Sequence, residues 1–255
     1  MKRYHWLFWI TLVYVGFGIG VRASDQPLIF TNSRDEDKSA FRWLSLVYDE
    51  AFKRMNLQYE IQRFPEKRGE MLLLQGKVDG ELARTEVFVE RHPDLILVPV
   101  AVAWSDMVAY TLQKDLQVHS WEELAQLDLK VEYRRGVLLA ESRLTPLIKP
   151  GHLSAANDWE TGLKRLVAGR TDVFIDIEID VGSVLEQGEF YGLTLYKAGA
   201  LENVYGYPIL HSKNASLAVP FEAVLRQMTE DGLIEKFRQQ SLVTPPKKAV
   251  LPTAY

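Results

Sequence analysis

Arg84 is the residue whose type and place in the chain best suit a binding site. It follows a short β-prone run that Asp79 opens, and a guanidinium at the end of a strand can hold a carboxylate through two parallel hydrogen bonds. The sequence has no cysteine, which excludes a thiolate metal site, a cysteine nucleophile and a disulfide framework. Its histidines lack the spacing of metal ligands, and it has neither a glycine-rich phosphate loop nor a nucleophile-elbow motif. These features predict a protein without a cofactor or metal that is not an enzyme.

The first residues predict export. A basic segment at residues 2–3 precedes an apolar run over residues 6–21 that contains no charge. Val21 and Ala23 place small residues at the two positions that a signal peptidase reads, so we predict a cleavable signal peptide over residues 1–23 and a periplasmic protein. The alternative is an uncleaved anchor, for which the run is short, since a bilayer span needs roughly 20 apolar residues.

The charge balance bears on the partners. The 255 residues include 30 Lys and Arg and 34 Asp and Glu, for a formal net charge of −4. The predicted signal peptide contains Lys and Arg but no Asp or Glu, so its cleavage makes the net charge more negative. A chain with this balance is not attracted to nucleic acid or to an anionic membrane surface. We therefore expect no nucleic-acid partner. The charge balance says nothing positive about the ligand, and the small-molecule ligand and the monomer that we expect do not rest on it.

Short β-prone runs alternate with segments of helical periodicity. Strands are predicted over residues 28–31, 57–64, 78–83, 95–103, 130–133 and 173–177. Helices are predicted over residues 38–55, 65–76, 120–127, 158–167, 220–230 and 231–241. Asp35 or Asp37 is the candidate cap of the first helix, and Ser120 opens a capping box. The alternation indicates an α/β fold with mostly parallel sheet.

Two segments about ninety residues apart echo each other. Residues 73–79 and residues 166–172 each combine a helix end, a glycine, a basic residue, a β-branched residue and an aspartate that opens a strand. Glycine suits the left-handed conformation just past a helix end. The echo predicts two similar α/β lobes, although any helix-to-strand turn shares some of these features.

Four segments carry a family resemblance: the leader with YDEAF at residues 48–52, PEKR with LQGKVDG at residues 65–80, LVAGRTDV at residues 166–173, and MTEDGLIEKF at residues 228–237. In this order, across nearly all of the chain after the leader, they resemble the bacterial extracellular solute-binding proteins of the amino-acid-binding type, which are family 3-like. The resemblance implies a two-lobed type II periplasmic binding fold, in which each lobe is a mostly parallel sheet flanked by helices. Lobe one would hold residues 24–105 and 204–255, and lobe two residues 106–203.

The resemblance also implies which residues hold a ligand in the crevice at the carboxyl ends of the strands. The family has a ligand-gripping arginine a little after the strand that Asp79 opens, and both Arg84 and Arg91 match this place. Arg68, in the first turns of the helix that Pro65 begins, is a third candidate. For each arginine the alternative is an ordinary surface residue.

Lobe two would supply the facing groups. Gly136 and Val137 stand where the family has a glycine turn at a helix N-terminus, whose free amides bind anions, although the usual hydroxyl side chains are missing here. Asp176 or Glu178 stands near the acidic residue that the family uses for a ligand amine.

The aromatic face of the site departs from the family pattern. Residues 33–37 contain no aromatic residue where the family usually has one, so Trp104 and Tyr110 are the candidates for a stacking face, and core packing is the alternative for both.

Three functions are compatible with these features. The first is a binding protein that delivers a small polar ligand, anionic or amino-acid-like, to the permease of an ABC importer. The second is a ligand sensor that docks on a membrane receptor kinase. The third is an enzyme that resembles the periplasmic dehydratases of this fold, with Asp176 or Glu178 as its general acid or base.

Overall fold

The computed structural model describes residues 26–185, 190 and 192–242. The predicted signal peptide and the proline-containing C-terminal residues lie outside them. The strands are β1 (Leu28–Asn32), β2 (Tyr59–Arg63), β3 (Gly80–Arg84), β4 (Leu95–Leu97), β5 (Ala103–Thr111), β6 (Val131–Arg134), β7 (Leu153–Ala156), β8 (Val173–Ile177) and β9 (Tyr196–His211). The helices are α1 (Ser39–Met55), α2 (Glu66–Leu74), α3 (Glu86–Arg91), α4 (Trp121–Gln126), α5 (Leu138–Leu144), α6 (Trp159–Val167), α7 (Glu178–Leu185), α8 (Ala215–Glu230) and α9 (Leu233–Leu242).

The strands form one hydrogen-bonded path in the order β2-β1-β3-β9-β5-β8-β6-β7, and β4 also pairs with β9. At one end, β1 is parallel to β2 and β3; at the other, β6 is parallel to β7 and β8. The long strand β9 connects the two ends, because its residues 196–206 pair with β5 and its residues 207–211 pair with β3 and β4. The mixed α/β fold with flanking helices is the predicted class.

The apolar face of α1 anchors the first half of the path. Its side chains recur at helical spacing and are buried against α8, α9 and the sheet. Trp43, Tyr48 and Phe52 are each at most 1% exposed. The helix ends at Asn56, whose φ of 53° is left-handed. The predicted cap is wrong: the N-cap is Lys38 and its side chain accepts no capping hydrogen bond, so neither Asp35 nor Asp37 caps the helix.

Helices α4 and α6 begin at the predicted caps. Ser120 Oγ accepts a hydrogen bond from the Glu123 amide at 3.0 Å, and Asp158 Oδ1 accepts one from the Thr161 amide at 2.7 Å. Separate clusters of buried apolar side chains lie under this half, around Met107, Val131 and Ile175 and around Tyr110 and Phe174. None of the helices in the described part of the chain is long and apolar enough to span a membrane.

The echoing segments precede β3 and β8, which lie on opposite sides of β9 and β5 in the strand order. Gly76 and Gly169 have φ values of 67° and 64°, as a glycine just past a helix end requires. The division into lobes at residues 24–105, 106–203 and 204–255 stays a prediction.

The strand predicted over residues 95–103 is interrupted. β4 ends at Leu97 and β5 begins at Ala103. Pro99 has no amide to donate to a ladder. Val98, Val100 and Val102 are nevertheless buried in the apolar cluster that contains the side chains of α1. The apolar run therefore indicates that these residues are buried, but not that they form a continuous strand.

Candidate functional site

A cleft of about 820 Å³, measured with its opening to solvent, lies beside the carboxyl ends of β3 and β6. Its lining comes from both halves of the sheet path: the loop after β1, α1, α2, β3 and α3 on one side, and the β6–α5 turn and the start of α7 on the other. Among the lining residues are two tryptophans and five charged side chains: Trp43, Trp104, Arg34, Glu66, Glu81, Arg84 and Arg134.

Arg84 ends β3 and lines the cleft with a side chain only 10% exposed. Its Nη1 donates to the Glu66 carboxylate, its Nε lies 2.7 Å from Glu81 Oε1, and its guanidinium lies 4.7 Å from the Phe88 ring centroid. Burial lowers the pKa of Arg84, but the two carboxylates outweigh it and raise the pKa above the ordinary value. Its Nη2 is buried and has no hydrogen-bond partner among the described residues.

Glu66 connects the two sides of the cleft. It is the first residue of α2, which begins after Pro65 as predicted, and its carboxylate also accepts a hydrogen bond from Arg134 Nη1 at 3.3 Å. Burial alone would raise its pKa, but Arg84, Arg134 and Arg34 lower it to about 2. Glu66 is therefore a carboxylate held ionised between guanidinium groups.

A second group of charges joins the loop after β1 to α7. Arg34 donates to both carboxylate oxygens of Asp180, at 2.8 and 3.1 Å, and Arg134 donates to Asp180 at 3.2 Å. Arg134 also holds both oxygens of Asp176, at 2.7 and 3.1 Å, and its guanidinium lies 4.5 Å from the Trp159 ring centroid. Paired, two-point hydrogen bonds of this kind are the strong form of the arginine–carboxylate interaction.

Four predicted site residues line the cleft: Arg84, Gly136, Val137 and Trp104. Gly136 has φ 95°, and a Cβ there would lie 2.9 Å from Glu66 Cδ, so the turn needs glycine for its conformation and for the approach of Glu66. The amides after it are already used, since Val137 N donates to Arg134 O and Leu138 N donates to Gly136 O. The amides of Val137 and Leu138 are thus not the free anion-binding groups that the sequence pattern predicted.

Arg68 and Arg91 do not line the cleft. Arg68 is exposed, and its guanidinium lies 5.7 Å from the Phe64 ring centroid. Arg91 is also exposed and lies 3.6 Å from Glu141 of α5. Of the three candidate arginines, Arg84 is the one that the structure brings to the cleft.

Asp176, Glu178 and Tyr110 are also absent from the cleft lining. Asp176 is fully buried behind Arg134, and Glu178 pairs with Lys197 on the outside of the fold. Tyr110 is 3% exposed inside the second half of the molecule, where burial raises the pKa of its hydroxyl well above the ordinary range. Tyr110 is therefore a core residue in the structure, which was the alternative interpretation of its position.

An aromatic wall comes from a residue that the sequence did not single out. Trp43 of α1 meets Trp104 edge-on, with ring centroids 4.8 Å apart, and its Nε1 donates to Ile234 O at 3.0 Å. Within the described residues, no group of three His, Asp or Glu side chains is arranged to hold a metal ion. The site offers charged and aromatic binding groups.

Solved structures with a similar fold include amino-acid-binding proteins. The arginine-, lysine-, histidine-binding protein ArtJ from Geobacillus stearothermophilus matches with a TM-score of 0.68 and 14% identity, over 87% of this chain and 97% of that one. A mutant of ArgBP from T. maritima matches with a TM-score of 0.65 and 15% identity, over 84% and 93% of the two chains. The arginine-bound AbpA from Streptococcus pneumoniae matches with a TM-score of 0.65 and 13% identity, over 84% of this chain and 93% of that one. The chain has the type II periplasmic binding fold, as the sequence resemblance predicted.

No family model matches the sequence. An uncharacterised protein of Shewanella oneidensis is 30% identical over 201 residues, which are 79% of this chain and 76% of that protein. The chain belongs to the same family as this Shewanella protein.

Proposed function

We propose that this protein is an exported solute-binding protein that captures a small carboxylate-bearing, amino-acid-like ligand in the cleft and delivers it to an ABC permease. The fold and the amino-acid-binding proteins that share it support this function. The observation that carries the proposal is Arg84, a buried guanidinium that lines the cleft and keeps an unpartnered N–H group at Nη2.

An unpartnered donor in a buried place is costly. Leaving a buried polar group without a hydrogen bond costs about 1–3 kcal/mol, and more when the group is charged. A ligand carboxylate that accepts from Nη2 removes this cost and gains a charge-assisted hydrogen bond. We therefore assign Arg84 as the main ligand partner, ahead of the exposed Arg68 and Arg91.

The proposal is for binding and not for catalysis. Asp176, which the sequence offered as a general acid or base, is fully buried and held at both oxygens by Arg134. Glu178 lies outside the cleft lining. A general acid or base has to reach the proton that it transfers, and neither carboxylate is placed to do so.

The test is a thermal-shift screen of the purified protein against amino acids, small carboxylates, polyamines and peptidoglycan fragments. A bound ligand raises the melting temperature by mass action. For the ligand found, Arg84→Ala should weaken binding by about one to four orders of magnitude in calorimetry, since truncating a buried charged partner costs roughly 2–5 kcal/mol. Arg84→Lys, which keeps the charge but loses the fork, should give a smaller loss.

Arg68→Ala is the matched control, because its exposed side chain does not line the cleft. It should bind as tightly as the parent. Parental affinity in Arg84→Ala and in Arg84→Lys would refute the assignment of Arg84, and a screen without any stabilising compound would contradict the proposed function.

Export is a separate part of the proposal. We expect the protein recovered from the periplasm to begin at Ser24, because Val21 and Ala23 form the predicted cleavage site. N-terminal sequencing of the exported protein checks this. A chain that keeps Met1 and sediments with the membrane would show an uncleaved anchor instead.

A further inference from the structure

Glu66 places a carboxylate of the protein itself against the arginine that we assign to the ligand. Its Oε1 accepts a hydrogen bond from Arg84 Nη1, and its Oε2 accepts from Arg134 Nη1 at 3.3 Å and from Ser33 Oγ at 3.4 Å. A Cβ added to Gly136 would lie 2.9 Å from Glu66 Cδ, so the same carboxyl group also lies against the turn between β6 and α5. One side chain of the protein thus makes the contacts that a bound anion could make.

We propose that Glu66 is an internal competitor of the ligand: its carboxylate occupies Arg84 until a ligand carboxylate displaces it, and it thereby lowers the affinity for anionic ligands. This inference rests on the proposed function and adds a residue that limits binding. A two-point hydrogen bond to a carboxylate uses either the Nη1–Nη2 edge or the Nε–Nη2 edge of a guanidinium. Arg84 donates Nη1 to Glu66, and its Nε lies 2.7 Å from Glu81 Oε1. A ligand carboxylate that binds Arg84 at two points therefore displaces one of these two carboxylates.

Exposure and position indicate that Glu66 is the carboxylate that leaves. Its side chain is 19% exposed, whereas those of Glu81, Asp176 and Asp180 are at most 7% exposed. Because Glu66 is the first residue of α2, its side chain can turn into solvent while the helix keeps its backbone hydrogen bonds. Glu81, in contrast, belongs to β3 and lies between the neighbouring strands β1 and β9.

The balance of charges at the cleft also favours an exchange of carboxylates. Three guanidinium groups are paired there with four carboxylates: Arg34, Arg84, Arg134, Glu66, Glu81, Asp176 and Asp180. This cluster of described residues has no net positive charge, even when Glu81 is protonated. A further carboxylate would leave an excess of poorly solvated negative charge, which is costly. If Glu66 turns outward as the ligand enters, one carboxylate replaces another and the balance is kept.

The experiment removes the charge from Glu66 and, separately, from the probe. Binding of 3-phenylpropanoate, L-leucine and 3-phenylpropanamide is measured by calorimetry for the parent and for Glu66→Gln. 3-Phenylpropanamide is 3-phenylpropanoate with a neutral amide in place of the carboxylate. We expect Glu66→Gln to bind 3-phenylpropanoate or L-leucine at least about tenfold more tightly than the parent does, and to change the affinity for 3-phenylpropanamide by less than about twofold.

Glu70→Gln is the matched control. Glu70 stands on the same helix as Glu66, but it pairs with Lys67 and His92 and does not line the cleft. This variant should bind every probe like the parent, and unfolding curves confirm that both glutamine variants are folded.

A second variant serves if Glu66→Gln is too unstable for calorimetry. Glu66→Ala deletes the carboxylate and leaves room for a small anion beside Arg84. Acetate should raise the melting temperature of Glu66→Ala more than that of the parent, and acetamide should raise neither. Equal effects of acetate on the two proteins would overturn the competition.

The calorimetry separates failure of this inference from failure of the proposed function. Equal or weaker binding of both carboxylate probes by folded Glu66→Gln overturns the competition, and so does an equal gain for the neutral amide. Either result leaves the proposed function standing if the parent binds a compound. A parent that binds no compound of these probes or of the wider screen overturns the proposed function, whereas a gain of carboxylate binding in Glu66→Gln would still support the competition.

Discussion

Replacing Asp180 with asparagine should destabilise the ligand-free protein strongly. Asp180 in α7 holds the guanidinium of Arg34 through two hydrogen bonds of 2.8 and 3.1 Å and accepts a third, at 3.2 Å, from Arg134. The side chains of Arg34 and Asp180 are 19% and 2% exposed. This contact connects the loop after β1 to the far half of the sheet path, so it stabilises the arrangement that forms the cleft.

The size of the effect follows from the burial. Asparagine keeps the shape of the side chain but removes the charge, and breaking a buried ion pair by removing one partner costs about 3–5 kcal/mol. In Asp180→Asn, Arg134 keeps its ion pairs with Asp176 and Glu66. Arg34 is therefore the arginine that mainly loses its counter-ion. For a chain of this length about 1 kcal/mol corresponds to roughly 2–4 °C, and a loss of about 3 kcal/mol lowers the melting temperature by roughly 6–12 °C.

Thermal unfolding followed by tryptophan fluorescence measures the shift, and Asp35→Asn is the control. Asp35 also pairs with an arginine, Arg63, at 2.7 Å, but these two side chains are 44% and 59% exposed. Exposed pairs contribute about 0–1 kcal/mol, so the control should lose at most roughly 4 °C. Equal shifts for Asp180→Asn and Asp35→Asn would show that burial does not govern the strength of this contact and would refute the reasoning.

Three further predictions concern glycines, a cap and a titrating group. Gly162→Ala in α6 should destabilise the protein, because a Cβ there would lie 2.3 Å from the Phe174 ring. Gly182→Ala in α7 places its Cβ in open space and should stabilise the helix by about 0.5–1 kcal/mol. Urea unfolding measures both free energies, and a stabilised Gly162→Ala would be inconsistent with the packing against Phe174. Ser120→Ala should cost about 1 kcal/mol in the same assay, because it removes the cap of α4, and no loss would mean that the cap is dispensable. Burial raises the pKa of Glu81 to about 7, the nearby Glu66 charge adding to the effect and Arg84 opposing it. The folded state therefore holds a proton that the unfolded state releases near its ordinary pKa, and the stability from this group falls as pH rises from about 4.5 through 7. Glu81→Gln should flatten that fall in urea titrations at pH 5 and 8, and an equally steep fall in the variant would count against the raised pKa.

Much of the fold could be predicted because local signals and tertiary structure agree. The strand at Val173–Ile177 has its predicted bounds, and Ser120 and Asp158 cap the helices that they were expected to cap. The errors occur where a local signal competes with another constraint. Pro99 interrupts the apolar run after β4 although its valines stay buried. In this segment the local sequence predicts correctly which residues are buried, but not which backbone groups are hydrogen-bonded in a strand.

The site could be predicted only in part, because its contacts join distant positions. The sequence could place Arg84 beside the cleft, because its position at the end of a strand is a local property; its role in binding stays a prediction. Its partner Glu66 stands in the same short segment as Arg68, which the sequence offered instead. The helical start after Pro65 was the signal available for Glu66, since the first turn of a helix favours a carboxylate, but nothing local indicates that this carboxylate reaches Arg134, 68 positions away.

An arginine in the cleft can bind a ligand only if its guanidinium has hydrogen-bond donors that the protein does not already use. Of the residues that the structure describes, three arginines line the cleft: Arg34, Arg84 and Arg134. Arg34 and Arg134 each hold a carboxylate at two points, so a ligand would have to compete with a protein partner that is already desolvated and in place. Arg84 has an N–H group left over at Nη2 and a neighbour, Glu81, with an oxygen left over at Oε2. A ligand gains most where the protein has left hydrogen bonds unmade, and this is why the ligand is expected at β3 and not at the more fully paired arginines facing it.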